Sequence, residues 1–123
     1  MNSPNAAAYK TIDTVNIHTK GNAIDFGDIV NQTDNMGGSG SNPVRGIFSG
    51  GYTPTFLDVI ESISIPTTGN AQDFGNLTAA NIRAVGMSNS IRTVMGGGQS
   101  PSNTKDIEFI TTSTLGNSTF LAN

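Results

Sequence analysis

The sequence predicts an all-β protein built from four-stranded repeats, about two and a half of them in 123 residues. Three observations lead there. Gly21-Asn22-Ala23-Ile24-Asp25-Phe26-Gly27 returns as Gly69-Asn70-Ala71-Gln72-Asp73-Phe74-Gly75, and its opening returns again as Gly116-Asn117-Ser118, at offsets of 48 and 47 residues. Each copy follows a short run rich in β-branched residues, from Ile12 to Ile17, from Ile60 to Ile65 and from Ile107 to Thr112. Over the eighteen positions that begin at Ile12 and at Ile60, nine residues are identical and several others are swaps such as Asp13 for Glu61. Self-similarity at one fixed period of this size marks a solenoid, a propeller or an array. Ser, Thr and Asn together supply 41 residues and Gly another 15, whereas charged residues are 12%, about half the roughly 25% of ordinary soluble domains. Such a surface is polar through hydroxyls and amides, which suits turns and strand edges.

In chain order, residues 1–11 form a lead-in, where Pro4 and three alanines precede the first strand and Tyr9 offers an apolar ring to a neighbouring surface. From Thr11 to His18 apolar and polar residues alternate with one slip of phase, which predicts a strand. A turn at Lys20-Gly21-Asn22 leads to a second strand over 23–29, with Phe26 and Ile29 inward, and residues 31–35 are connector. Met36-Gly37-Gly38-Ser39-Gly40 aligns with Ala84-Val85-Gly86-Met87-Ser88, and the small residues predict strands that approach closely. Arg45 to Gly51 and Arg92 to Gly98 each read as a short apolar strand ending in paired glycines, and loops 52–58 and 99–106 each carry a proline, Pro54 and Pro101. The chain is therefore one domain, 1–123, divided into repeats 12–59 and 60–106 and a partial repeat 107–123. Ten strands are expected, and the leading pair lacks its two inner strands.

The strand ending in paired glycines, the Ile-Glu strand after it and the period near fifty resemble kelch-type β-propeller repeats. Tyr52 follows its glycine pair as in that pattern, Gln99 stands at the equivalent place in the next repeat, and Phe26 and Phe74 occupy the place of the usual tryptophan. The run from Ile60 to Thr78 is similar to kelch-like repeats in virion proteins of marine tailed bacteriophages, especially those of cyanobacteria. Thr11 to Ile29 follows it at most positions, and the last copy loses a residue after Ser118 and departs from Asp-Phe-Gly. The resemblance implies a structural part of a phage particle, such as a fibre, tail or capsid-surface element. Propellers have about four to eight blades and an array needs about three units to be stable. Two and a half units are therefore expected to be completed by oligomerisation or by a longer chain, the edge of the leading pair being covered by a copy of the same protein.

No motif carries chemistry with comparable force. Asp25-Phe26-Gly27 and Asp73-Phe74-Gly75 spell the kinase metal-binding triplet, but the glycine-rich loop, strand lysine and catalytic loop are missing. Recurrence at the repeat period makes them structural, with Asp serving turn amides, Phe filling an interface and Gly permitting a bend. Gly96-Gly97-Gly98 and Gly37-Gly38-Ser39-Gly40 lack the Lys-Ser or Lys-Thr of a phosphate cradle. His18, the single histidine, stands where the next repeat has Pro66 and is expected at an exposed strand end rather than on a metal or in a nucleophilic triad. Asp13, Glu61 and Glu108 share one register; their recurrence predicts a repeated structural task such as pairing with Arg45 or Arg92 rather than paired acids for hydrolysis. The sequons at Asn31, Asn76 and Asn117 are expected by composition alone.

These readings predict a non-enzymatic structural or interaction protein of a virion, without cofactor or metal, whose partners are its own copies and other virion proteins. The alternative is a lectin-like propeller that attaches to the host surface, with Tyr52, Thr53, Gln99 and Ser100 in loops on one face holding a glycan weakly at several equivalent sites. An enzyme is a third reading, supported only by scattered carboxylates. The net charge of −3, with six scattered Lys and Arg, leaves no basic stripe for nucleic acid. No cysteine is present, which excludes thiolate sites and disulfides. No signal peptide or membrane-spanning run is read, so the expected location is the particle after synthesis in host cytoplasm.

Overall fold

In the computed structural model, which describes residues 9–123, ten strands make three antiparallel sheets, and no helix occurs among the described residues. The first sheet pairs β1 (Thr11–Thr14) with β2 (Ile24–Asp28). The second is a four-stranded meander of β3 (Ser39–Ser41), β4 (Arg45–Ser49), β5 (Val59–Ser64) and β6 (Gln72–Asn76). The third repeats it with β7 (Val85–Ser88), β8 (Arg92–Gly96), β9 (Ile107–Thr111) and β10 (Thr119–Ala122). The expected lead-in lies almost wholly in residues 1–8, outside the described residues; Tyr9 is exposed.

Local chemistry repeats with the sheets. The Asn42 side-chain oxygen accepts the Val44 and Arg45 amides at 2.9 and 2.7 Å and so closes the turn from β3 to β4. Asn89 closes the turn from β7 to β8 in the same way, at 2.8 Å from the Ile91 and Arg92 amides. An asparagine that bonds the backbone two and three residues ahead makes a tight reversal at little cost. Each outer strand carries a bulge at one equivalent position: β2 between the partners of Ile12 and Asp13, β6 between the partners of Ile60 and Glu61, and β10 between the partners of Ile107 and Glu108. The bulged residues are Phe26, Phe74 and Leu121. A bulge re-aims the extra side chain, and here it sends Phe26 and Phe74 inward to 8% and 3% exposure.

The main core lies between the second and third sheets, where Ile47, Ile60, Phe74 and Leu77 meet Met95 and Ile110. Thr93 and Thr112 add a fully buried hydroxyl pair, 3.0 Å apart. Close approach of the inner strands follows the expectation from small residues: a Cβ on Gly86 would lie 2.1 Å from the Ser39 carbonyl oxygen. Arg45 spans the same two sheets, donating to the Thr112 carbonyl at 2.9 Å with its guanidinium 5.7 Å from the Phe74 ring centre.

Four expectations need correction. The inner strand is Ser39–Ser41 rather than 36–40, and pairing of Ser39 with Phe48 and of Gly86 with Met95 makes Ser39, not Gly38, the counterpart of Gly86. The last copy loses no residue: Ala122 pairs with Ile107 as Gly75 pairs with Ile60, so Phe120 stands at the place of Asp73. The first strand stops at Thr14 instead of His18. Its counterpart β5 reaches Ser64 because Gly46 and Arg45 of β4 pair with Ile63 and Ser64, and no such inner strand lies beside Val15 and Asn16 among the described residues. Finally, Glu61 and Glu108 do not serve Arg45 and Arg92; Arg92 stacks on Phe109 with its guanidinium 4.4 Å from the ring centre.

Candidate functional site

The loops from β4 to β5 and from β8 to β9 lie at the same end of their sheets, and both hold the residues singled out for ligand contact. Tyr52 and Gln99 are structural equivalents. Tyr52 bridges Asp34 and Phe56 through its backbone, and Gln99 bridges Ile82 and Asn103. The Tyr52 ring is 41% exposed and packs edge-on against Phe56 at 5.5 Å. The Thr53 amide donates to Thr55 and the Ser100 amide to Ser102, at 3.0 and 2.8 Å, so each loop folds on itself. The Gln99 side chain turns back onto the Pro101 carbonyl at 2.7 Å. Asn81, which sequence reasoning did not single out, joins the two loops: its carbonyl accepts the Gly51 amide at 2.9 Å, and its side chain bonds the Gly97 carbonyl and the Gln99 amide at 2.9 and 2.8 Å. The cavity beside Ser100 measures about 90 Å³ and takes in neither Tyr52, Thr53 nor Gln99; ligand clefts run to about 300 Å³ and above. The four residues are thus placed on one face but are not gathered into a single site.

The denser constellation lies at the opposite end, where the recurrent Gly-Asn turns sit. In the second sheet, the Gly69 and Ala71 amides donate to the Phe26 and Asp28 carbonyls of the first sheet, both at 2.8 Å, and the Asn70 side-chain oxygen accepts the Asp28 amide at 3.0 Å. The third sheet repeats every bond one period later. Gly116 and Ser118 donate to Phe74 and Asn76, both at 2.9 Å, and Asn117 accepts the Asn76 amide at 2.9 Å. Gly-Asn-Ala/Ser is a clasp that grips the outer strand of the preceding sheet. It demands a glycine in that strand: a Cβ on Gly27 or Gly75 would fall 2.3 or 2.2 Å from the carbonyl oxygen of Gly69 or Gly116.

Buried carboxylates complete each seam. Glu61 accepts the Val30 and Asn31 amides of the segment leaving β2 at 2.8 and 2.9 Å, and the Asn31 side chain at 3.1 Å. Glu108 accepts the Thr78 amide at 2.9 Å and the Ser118 hydroxyl. Their shared register in the sequence signalled a common task, but the partners common to both are main-chain amides, which carry no side-chain signature. Asp13, the third member, is exposed, as is His18 in the bend that follows the shortened β1. Thr14, Val15, Asn16, Asn22 and Ile24 line an open cleft of about 420 Å³ at the turn from β1 to β2. Comparison with protein-family models and with curated proteins returns no match for the chain.

Proposed function

We propose that the chain is a non-enzymatic structural and interaction component of a phage particle, built from kelch-like propeller blades. One observation carries the reading: two successive seams, one period apart, are made by the same clasp, the same bulged residue and the same glutamate position. Polar atoms of the recurrent motif are consumed in holding repeat to repeat, which is what a stacking module requires and a catalytic site does not. The likeness of its repeats to those of marine phage virion proteins supplies the setting. Assembly on the particle, with other virion proteins or with further copies, then provides strands beside the leading pair, which has no inner strand among the described residues.

The test is localisation. Antibody raised against the purified chain is used for immunogold labelling and for blotting of density-purified particles. Gold at a constant place on the particle supports the reading; protein confined to the soluble lysate, with clean particles, overturns it.

A further inference from the structure

Among the described residues there are three Gly-Asn clasps and three outer strands, and two of each are engaged with one another. Gly69-Asn70-Ala71 grips β2 and Gly116-Asn117-Ser118 grips β6. The clasp Gly21-Asn22-Ala23 has no outer strand to grip among the described residues. Gly69 and Gly116, which grip strands, lie at φ +156° and +149°, whereas Gly21 lies outside that range. At the other end β10 offers no grip in return.

The simplest arrangement would place the free clasp of one copy on β10 of another. The strand pairing forbids it. Ala122 pairs with Ile107 as Gly75 pairs with Ile60, so its Cβ occupies the space where the clasp carbonyl sits, 2.2 Å away at the equivalent Gly75 seam. The obstacle is backbone against Cβ, which no rotamer relieves. Beside it Phe120 stands where β6 has Asp73, and Phe120 and Leu121 are both half exposed. The Gly21 clasp and the β10 strand are therefore not complementary to each other.

We propose that the leading half-sheet is a docking end for the outer β-strand of a different polypeptide, one with the sequence character Phe-Gly-Asx in a bulged strand, and that Ala122 is a stop that keeps the chain from stacking on itself through this seam. The partner's glycine admits the Gly21 carbonyl. Its two strand carbonyls receive the Gly21 and Ala23 amides, and its Asx amide donates to the Asn22 side chain. The exposed Asp13 lies where Glu61 and Glu108 receive main-chain amides of the gripped repeat. This rests on the reading of the chain as a stacking repeat protein, but not on the particle that carries it.

A receptor made from the protein itself provides the test. The double variant Gly21→Val/Ala122→Gly has its clasp disabled, because valine resists the φ that Gly69 and Gly116 adopt, and its trailing strand reopened. Both changes fall at exposed positions, and circular dichroism checks the fold. Mixed with the unaltered chain in sedimentation velocity, the variant is expected to form a complex of one copy of each. Gly21→Val alone, mixed with the unaltered chain, gives no complex, because Ala122 still blocks every trailing strand. Absence of a complex between the folded double variant and the unaltered chain overturns the docking end. Self-association of the unaltered chain that Gly21→Val abolishes overturns the stop.

Discussion

Glu61 and Asp13 occupy the same place in successive repeats, and the structure predicts opposite consequences for losing them. Glu61 is 4% exposed and its two oxygens accept three hydrogen bonds from Val30 and Asn31, two of them from main-chain amides. A bond to a charged acceptor contributes roughly 1.5 to 3 kcal/mol, and a buried donor left unpaired costs about 1 to 3 kcal/mol. Water entering the truncated site recovers part of this, so Glu61→Ala is expected to cost about 3 kcal/mol. Asp13 is exposed, and Asp13→Ala should stay within about 0.5 kcal/mol, as surface substitutions usually do. The assay is urea unfolding followed by circular dichroism. With an m-value near 1.5 kcal/mol/M, typical of a small domain, the Glu61→Ala midpoint falls by about 2 M while the Asp13→Ala midpoint hardly moves. Equal shifts for the two variants would refute the seam as the source of the difference.

Three further outcomes are expected. Phe74→Ala empties the centre of the main core and should cost about 3 to 5 kcal/mol, whereas Leu121→Ala, at the equivalent but half-exposed position, should cost less than about 1 kcal/mol; thermal unfolding ranks them. Thr93→Val leaves the Thr112 hydroxyl unpaired in a dry site and should cost about 1 to 2 kcal/mol, while the double change Thr93→Val/Thr112→Val recovers most of it because both polar partners leave together; a double-mutant cycle by urea unfolding reads the coupling. Gly75→Ala drives a Cβ into the Gly116 carbonyl and should cost about 1 to 3 kcal/mol, as overpacking does, with faster amide hydrogen exchange at Gly116 and Ser118 while the amides within β4 and β5 keep their protection.

Much of the architecture was legible before any coordinates. The period predicted ten strands because each repeat spells its turns with Asn and Gly, its central strands with β-branched residues and its inner strands with small ones. Phe26 and Phe74 were read as interface residues and are buried. The candidate site was less legible. Tyr52 and Gln99 attracted attention as an aromatic and its counterpart in exposed loops, but their backbones are engaged in bridges that no side-chain pattern announces. The Gly-Asn stretch was recognised as recurrent and assigned only to a turn between strands; its role as a clasp depends on a strand 42 residues away in sequence from Asn70.

What the sequence determined by itself was the local menu: all-β, three homologous outer pairs, glycine or asparagine wherever the chain reverses. Periodicity and turn chemistry act over a few residues, and a repeat makes each such signal audible more than once. What only the tertiary structure decided was the fate of equivalent residues. Val15 and Ile17 have the same character as Ile63 and Ile65, yet the strand propagates through Ile63 and halts at Thr14, because β4 offers its hydrogen-bonding edge to one and nothing described does so for the other. Glu61 is buried and Asp13 exposed, and Gly75 is gripped where Ala122 is bare. A residue's neighbours across a seam come from another repeat, and their presence or absence sets burial, hydrogen bonding and even strand length more strongly than the local sequence can.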